Sequence, residues 1–184
     1  MILTVTSLRK GGDLLQQALE FWRAGQSLCI PTECGPRLLG SGDLWLSSEA
    51  PDQPEFRTIF ETFWPGPLWL RLPHLSGKRR WHLPAHPLAQ AFLKLAAEPI
   101  RSADCPLDYA GPRLEWKEPP LNLKASEVDC ASHPWRWIQS GFVDRQSFEW
   151  VAGQATLLSG PALPRLEHTP APAFRETQSY RVEP

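Results

Sequence analysis

Apolar positions in this chain come in short runs of changing period, which predicts strands and helices intermixed along one domain. Met1 to Val5 reads as an opening strand, and Leu15, Ala18, Leu19 and Trp22 then recur at helical spacing. Asp13 and Gln16 predict a capping box for that helix, and Gly25 predicts its end. Ser27 to Ile30 predicts a short buried strand that Pro31 stops. Thr32, Glu33 and Cys34 are thereby left on a strand-end loop, a common place for ligand contacts. Leu44 to Ser47 predicts a further strand, and Phe56, Ile59, Phe60 and Phe63 mark the apolar face of a second helix.

The run Phe63-Trp64-Pro65-Gly66-Pro67-Leu68 must close that helix. Each proline fixes its own φ and pushes the residue before it out of the α region, while Gly66 permits a close approach or a positive φ. From Pro67 to Leu72 the pattern alternates, Leu68, Leu70 and Leu72 on one face against Trp69 and Arg71 on the other, as in a half-buried strand. Arg80 to Leu83 predicts its partner. His86-Pro87 starts a third helix with Leu88, Phe92, Leu95 and Ala96 inward, ended by Pro99. Ile100 to Asp104 predicts a strand, and Trp135 to Ile138, Ser147 to Ala152 and Ala155 to Leu158 three more. The fold class expected is α/β (α+β), a single domain over residues 1–163 with a Pro-rich tail over 164–184.

Composition narrows the chemistry. With 42% apolar and 21% charged residues among 184, the chain has enough apolar content for one sizeable core. A net charge of −1 excludes a globally basic nucleic-acid binder, so an anionic partner must be met by a local patch. No apolar run approaches the roughly 20 residues of a membrane span, and the N-terminus lacks the order of a signal peptide, so a cytoplasmic protein without membrane contact is expected. Cys29, Cys34, Cys105 and Cys130 form no C-x-x-C pair and read as free thiols. His82 and His86 lie four apart, but Pro84 forbids a shared helix, so no metal site is expected.

Four of these segments, in order, resemble the YrdC-like family. Pro31-Thr32-Glu33 is similar to that family's Pro-Thr-Glu-Thr, and Phe63 to Leu68 to its Phe-Trp-Pro-Gly-Pro-Leu. Pro84-Ala85-His86-Pro87 is similar to its Pro-x-His-Pro, and Ser102-Ala103-Asp104 stands where it has Ser-Ala-Asn. The resemblance implies a twisted open sheet with flanking helices around a concave, positively lined cavity. It further implies threonylcarbamoyl-AMP synthase chemistry, the step in tRNA threonylcarbamoyladenosine formation that consumes ATP, threonine and bicarbonate. ATP and Mg²⁺ are thus the implied cofactors, and tRNA or double-stranded RNA the implied nucleic-acid partner. Gathering a triphosphate and a carboxylate in one pocket requires several cations.

The chain departs from the family in that cation set. No Lys-x-Arg pair follows Glu33, where Gly35-Pro36-Arg37-Leu38 stands instead. His82 replaces the arginine before the Pro-x-His-Pro run, and Asp104 replaces an asparagine. Ser159 aligns with the arginine of a Leu-Arg-x-Gly-Ala segment, and Ser147-Phe148 with a Ser-Thr pair. Each lost phosphate-clamping cation is worth about 2–5 kcal/mol when it belongs to a buried pair.

The candidate substrate or nucleotide contacts are therefore Thr32, Glu33, Arg37, His82, Arg101, Ser102, Asp104, Ser147 and Ser159. Lys78, Arg79 and Arg80, next to Trp81, are candidate RNA contacts or a solvated hairpin turn. Trp64 and Trp69 read as packing, and His86-Pro87 as helix initiation. Three functional readings stand. The first is a divergent YrdC-like protein that keeps a nucleotide or RNA site with weakened or lost catalysis. The second is an active synthase with a rearranged charge set, in which Arg37 or Arg101 carries turnover. The third is a non-enzymatic protein that binds a partner through a Trp-rich surface.

Overall fold

A computed structural model of the chain describes residues 2–5, 11–117 and 121–159, so the tail over 164–184 lies outside the described residues. The elements are β1 (Ile2–Val5), α1 (Gly12–Arg23), β2 (Cys29–Ile30), β3 (Arg37–Leu46), α2 (Arg57–Phe63), β4 (Leu68–His74) and β5 (Gly77–His82). There follow α3 (Pro87–Ala96), β6 (Ile100–Asp104), β7 (Arg113–Trp116), β8 (Ser126–Asp129), β9 (Arg136–Gln139) and α4 (Arg145–Ser159). The nine strands form one mixed sheet in the order β1-β7-β2-β3-β5-β4-β8-β9, with β6 paired to β3. No helix among the described residues is long and apolar enough to cross a membrane.

Register assigns the side chains to faces, because directly paired residues point the same way. Leu44 pairs with Arg80 and Leu46 with His82, His82 pairs with Trp69, and Trp69 pairs with Glu127. These residues share one face. Trp45, Trp81, Leu70 and Val128 share the other.

Two cores use opposite faces at opposite ends of the sheet. On the first face, α1 and α3 cover Leu3, Ile30, Leu39, Leu44, Leu46 and Ile100, with Phe92 fully buried against Trp22. On the second face, α2 and α4 cover Leu68, Leu70, Leu72, Trp81 and Val128, with Phe148 among them. The first face over β5, β4 and β8 is left with a strip of polar residues.

The Trp-Pro-Gly-Pro corner does what its sequence predicts. Helix α2 ends at Phe63 and β4 begins at Leu68. Trp64 is buried, stacks on Phe60 at 4.8 Å and donates its indole N–H to Leu68 O at 2.7 Å. A Cβ on Gly66 would lie 2.6 Å from Phe63 O, so the glycine is needed for close approach rather than for positive φ.

Several local expectations change. Helix α1 starts at Gly12 under Gly11 with no side-chain cap, so Asp13 falls in its first turn and Gln16 bonds Glu20 instead of closing a capping box. Leu95 is exposed, and Leu93 and Ala89 take the inward positions of α3. The strands expected over Ser147 to Ala152 and Ala155 to Leu158 belong to α4, because Phe148, Val151 and Ala152 at helical spacing bury one stripe. Lys78, Arg79 and Arg80 lie within strand β5 and not in a turn. Eight of the nine tryptophans are buried or half-buried, which leaves Trp150 as the exposed one.

Candidate functional site

The polar strip is built where β3, β5, β4 and β8 run side by side beyond the cover of α1 and α3. A tight turn after β2 sets its first two side chains. Thr32 is fully buried and donates its hydroxyl to Gly35 O at 2.6 Å, while the Thr32 and Gly35 backbones bond each other in both directions. Gly35 has φ +106°, a conformation that disfavours a side chain. The turn aims Glu33 inward, 3% exposed, toward β5 and the loop before α3.

Glu33 there works as a junction. Its Oε1 lies 2.9 Å from His82 Nε2, and its Oε2 accepts the backbone N–H groups of Ala85 (2.9 Å) and His86 (3.3 Å). Burial pushes the Glu33 carboxyl upward, but the hydrogen bond to His82, the charge of that ring and the backbone N–H groups hold it below its ordinary value. Beside it, burial and the Glu33 charge push the Cys34 thiol up to about 12. His86 is the cap of α3, its Nδ1 accepting the Leu88 N–H at 3.2 Å, and burial lowers its basicity against the pull of Glu33. The reading of His86-Pro87 as helix initiation therefore holds.

The cations of the strip are already occupied. Arg37, 3% exposed, makes a short ion pair with Asp104 and a 3.3 Å bond to Ser102 O. Glu127, 2% exposed, takes Arg71 Nε at 2.6 Å on one oxygen and Arg80 Nη2 at 2.8 Å on the other. Arg80 also reaches Asp43 at 3.2 Å, and Lys78 binds Asp129 at 2.6 Å. Trp69 lies at the centre of this arrangement, with the guanidinium groups of Arg80 and Arg37 4.5 and 5.5 Å from its ring centroid and His82 6.0 Å away. Four buried nitrogen atoms around it, Arg37 Nε, Trp69 Nε1, Arg80 Nε and His82 Nδ1, have no hydrogen-bond partner among the described residues.

Thr32, Glu33, Arg37, His82, Ser102 and Asp104 are thus brought to one face, together with Lys78 and Arg80. Ser102 is fully buried and spends its hydroxyl on Leu44 O at 3.0 Å. Arg101 alternates to the opposite face, beside Trp45, and donates twice to Gly42 O, so it is not a cation of this strip. Arg79 likewise faces away and stacks on Trp45 at 4.4 Å, which divides the basic run between two faces. Ser147 is exposed in the first turn of α4, where its backbone N–H is held by Asp144. Ser159 ends α4, and its side chain lies outside the described residues.

Strand β8 and the loop after β9 are tied together, since Gly141 N–H donates to Ser126 Oγ at 3.0 Å.

Sequence reasoning missed Trp69, Arg71, Glu127 and Asp129 as site residues. The alternation of β4 already set Trp69 and Arg71 opposite the leucines. By contrast, β8 carries two acids in four residues and gives no apolar signal. Mg²⁺ finds a poor fit here, because Glu127 and Asp129 are each engaged through both oxygens, and Glu33 stands beside a sulfur and an imidazole nitrogen, softer donors than the oxygen set Mg²⁺ takes. A cavity of about 320 Å³ lined by Ser47, Glu49, Trp81, Lys94 and Glu98 contains none of the candidate residues.

No family model and no curated protein matches the sequence. Among solved structures, Sua5 of P. abyssi complexed with L-threonine superposes with a TM-score of 0.72 at 17% identity, over 83% of this chain and 61% of that one. E. coli YciO superposes with a TM-score of 0.66 at 16% identity, over 80% of this chain and 98% of that one. The chain therefore spans about three fifths of the Sua5 chain and nearly all of YciO. The nine-stranded sheet with helices on both faces, and the order of motifs along it, give this chain the YrdC-like fold shared by Sua5 and YciO.

Proposed function

We propose that this chain is a divergent relative of the threonylcarbamoyl-AMP synthases that keeps a small-molecule or nucleotide site on the open face and has weak or no synthase turnover. One observation carries the reading: Arg37, Arg71 and Arg80 are each paired within the chain, by Asp104, Glu127 and Asp43. A triphosphate entering the strip would have to displace carboxylates before it gained a cation. Developing charge on a transferring phosphoryl group would then meet a nearly neutral surface, where a synthase needs preorganised positive charge. The unpaired nitrogens around Trp69 support a surviving site for a small polar group. Because the structurally similar P. abyssi Sua5 binds L-threonine, we extend that class of ligand, an amino acid, to this strip.

The test is pyrophosphate release from ATP, threonine and bicarbonate with Mg²⁺, beside calorimetric titration of ATP and of threonine. Threonine binding without measurable turnover is expected, and turnover near the ordinary enzymatic range of about 1 s⁻¹ or more would overturn the reading. A second reading, an active synthase with rearranged charges, is favoured by the exposure of Asp104 and Asp43, whose side chains are 93% and 77% accessible. Carboxylates so exposed are readily displaced by an incoming anion. That reading requires Arg37→Met to abolish a turnover that the unsubstituted chain shows. Arg101, on the other face, has no part in it.

A further inference from the structure

We propose that Glu33, Cys34 and His82 form a binding site for a transition-metal ion of the zinc type. Their ligand atoms, one carboxylate oxygen, one sulfur and one imidazole nitrogen, all lie within 4.8 Å of one another. Oxygen, sulfur and nitrogen together suit a borderline-soft ion and not the hard cation that a triphosphate brings. Metal–ligand bonds of about 2.0–2.3 Å hold tetrahedral donors roughly 3.3–3.8 Å apart. His82 Nε2 and Glu33 Oε1 are 2.9 Å apart, so an ion between them spreads them slightly, while Cys34 need close in by no more than about 1 Å.

The surroundings favour the ion at this acid and not at its neighbours. Glu127 and Asp129 are held by cationic side chains, which cannot ligate, whereas the partner of Glu33 Oε1 is an imidazole, which can. Glu33 Oε2 stays fixed by Ala85 and His86 N–H, an outer shell that orients the carboxylate. Among the described residues, the wholly buried His82 ring is satisfied at one nitrogen only. The Thr32–Gly35 turn presents Cys34 next to Glu33, and the half-buried thiol gives the ion its way in. Carboxylate and thiolate offset the two positive charges, and a fourth position remains for solvent or a ligand.

The full chain, stripped with chelator and titrated with Co²⁺, tests this without any assay of turnover. One equivalent of Co²⁺ is expected to raise a thiolate charge-transfer band in the near ultraviolet, which one equivalent of Zn²⁺ removes. Cys34→Ser should lose the band and Cys105→Ser should keep it, and His82→Gln should weaken Co²⁺ binding at least tenfold. Absence of the band in the unsubstituted chain overturns the site, as does its persistence in Cys34→Ser. Should His82→Gln fail to fold, the comparison of Cys34→Ser with Cys105→Ser decides alone. None of these outcomes bears on synthase turnover, so the proposed function stands or falls separately.

Discussion

Glu127 and Asp104 both neutralise arginines of the open strip, yet their replacement should have very different costs. Glu127 is 2% exposed and bonds Arg71 and Arg80 through separate oxygens, so Glu127→Gln leaves two guanidinium groups facing a neutral amide. Breaking a buried pair costs about 3–5 kcal/mol. The arginine side chains keep 32% and 20% of their accessibility, so the lower end, about 3 kcal/mol, is expected. Asp104 is 93% exposed, and its pair with Arg37 falls in the solvent-screened class, so Asp104→Asn should cost less than about 1 kcal/mol. Urea unfolding followed by tryptophan fluorescence, with a slope of about 2 kcal/mol/M, separates the two as midpoint losses of about 1.5 M against less than 0.5 M. The same Asp104→Asn variant should bind pyrophosphate up to about fivefold more tightly, because it frees Arg37 of a competitor worth up to about 1 kcal/mol. Equal midpoint losses, or a Glu127→Gln cost below about 1 kcal/mol, would refute Glu127 as the buried pivot of the strip. Unchanged pyrophosphate affinity would refute Asp104 as an internal anion.

Three further outcomes follow from the geometry. The lowered basicity of His86 means that its contribution to stability is complete above its ordinary value of about 6.5 and is lost as pH falls through the lower folded value. His86→Asn, which keeps a cap acceptor without titrating, should flatten the decline in stability as pH falls below about 6.5 in chemical unfolding at stepped pH; an unchanged slope would contradict it. Gly42 has φ +82°, and a Cβ there would lie 2.2 Å from Ser102 O, so Gly42→Ala should pry β6 from β3 at a cost of about 2 kcal/mol. That corresponds to roughly 4–8 °C in thermal unfolding, and a neutral result would mean that the bulge relaxes freely. With Lys78 and Arg80 already paired and Arg79 on the other face, duplex RNA binding should show a log-log salt slope smaller than about 1 in magnitude, whereas a slope of about 3 would reveal a basic surface.

Alternation and turn chemistry made much of the fold legible in the sequence. The leucines of β4, the proline corner and the His86-Pro87 helix start are local signals whose periodicity survives into the structure. Strand β7 pairs with β1 and β2 and draws its stability from partners far away in the chain, and β8 hides behind its two acids, so neither announces itself locally. The candidate site was legible in its first half. Thr32, Glu33, Arg37, His82, Ser102 and Asp104 sit on motifs that could be recognised one by one. What no motif encodes is pairing across the sheet. That Glu127 would answer Arg71 and Arg80, and that Arg101 would turn to the far face, follows only from register. The same holds for Cys34, which became a neighbour of His82 only when β2 and β5 came together around β3.

The connectivity of the sheet also constrains how this protein can be made. Strand β1 joins the sheet through Arg113–Trp116, and β4 meets Ser126–Asp129. Helices α1 and α2 thus leave the ribosome long before the strands that complete their cores. Emerging chain must hold exposed leucine and phenylalanine faces until more than a hundred residues have been synthesised, and loop closure over that span is slow. Premature termination anywhere before β7 leaves the first core without Leu114 and the second without Val128, Cys130 and Phe148, so truncated products of this chain should be substrates for chaperones and proteases and not partly working proteins.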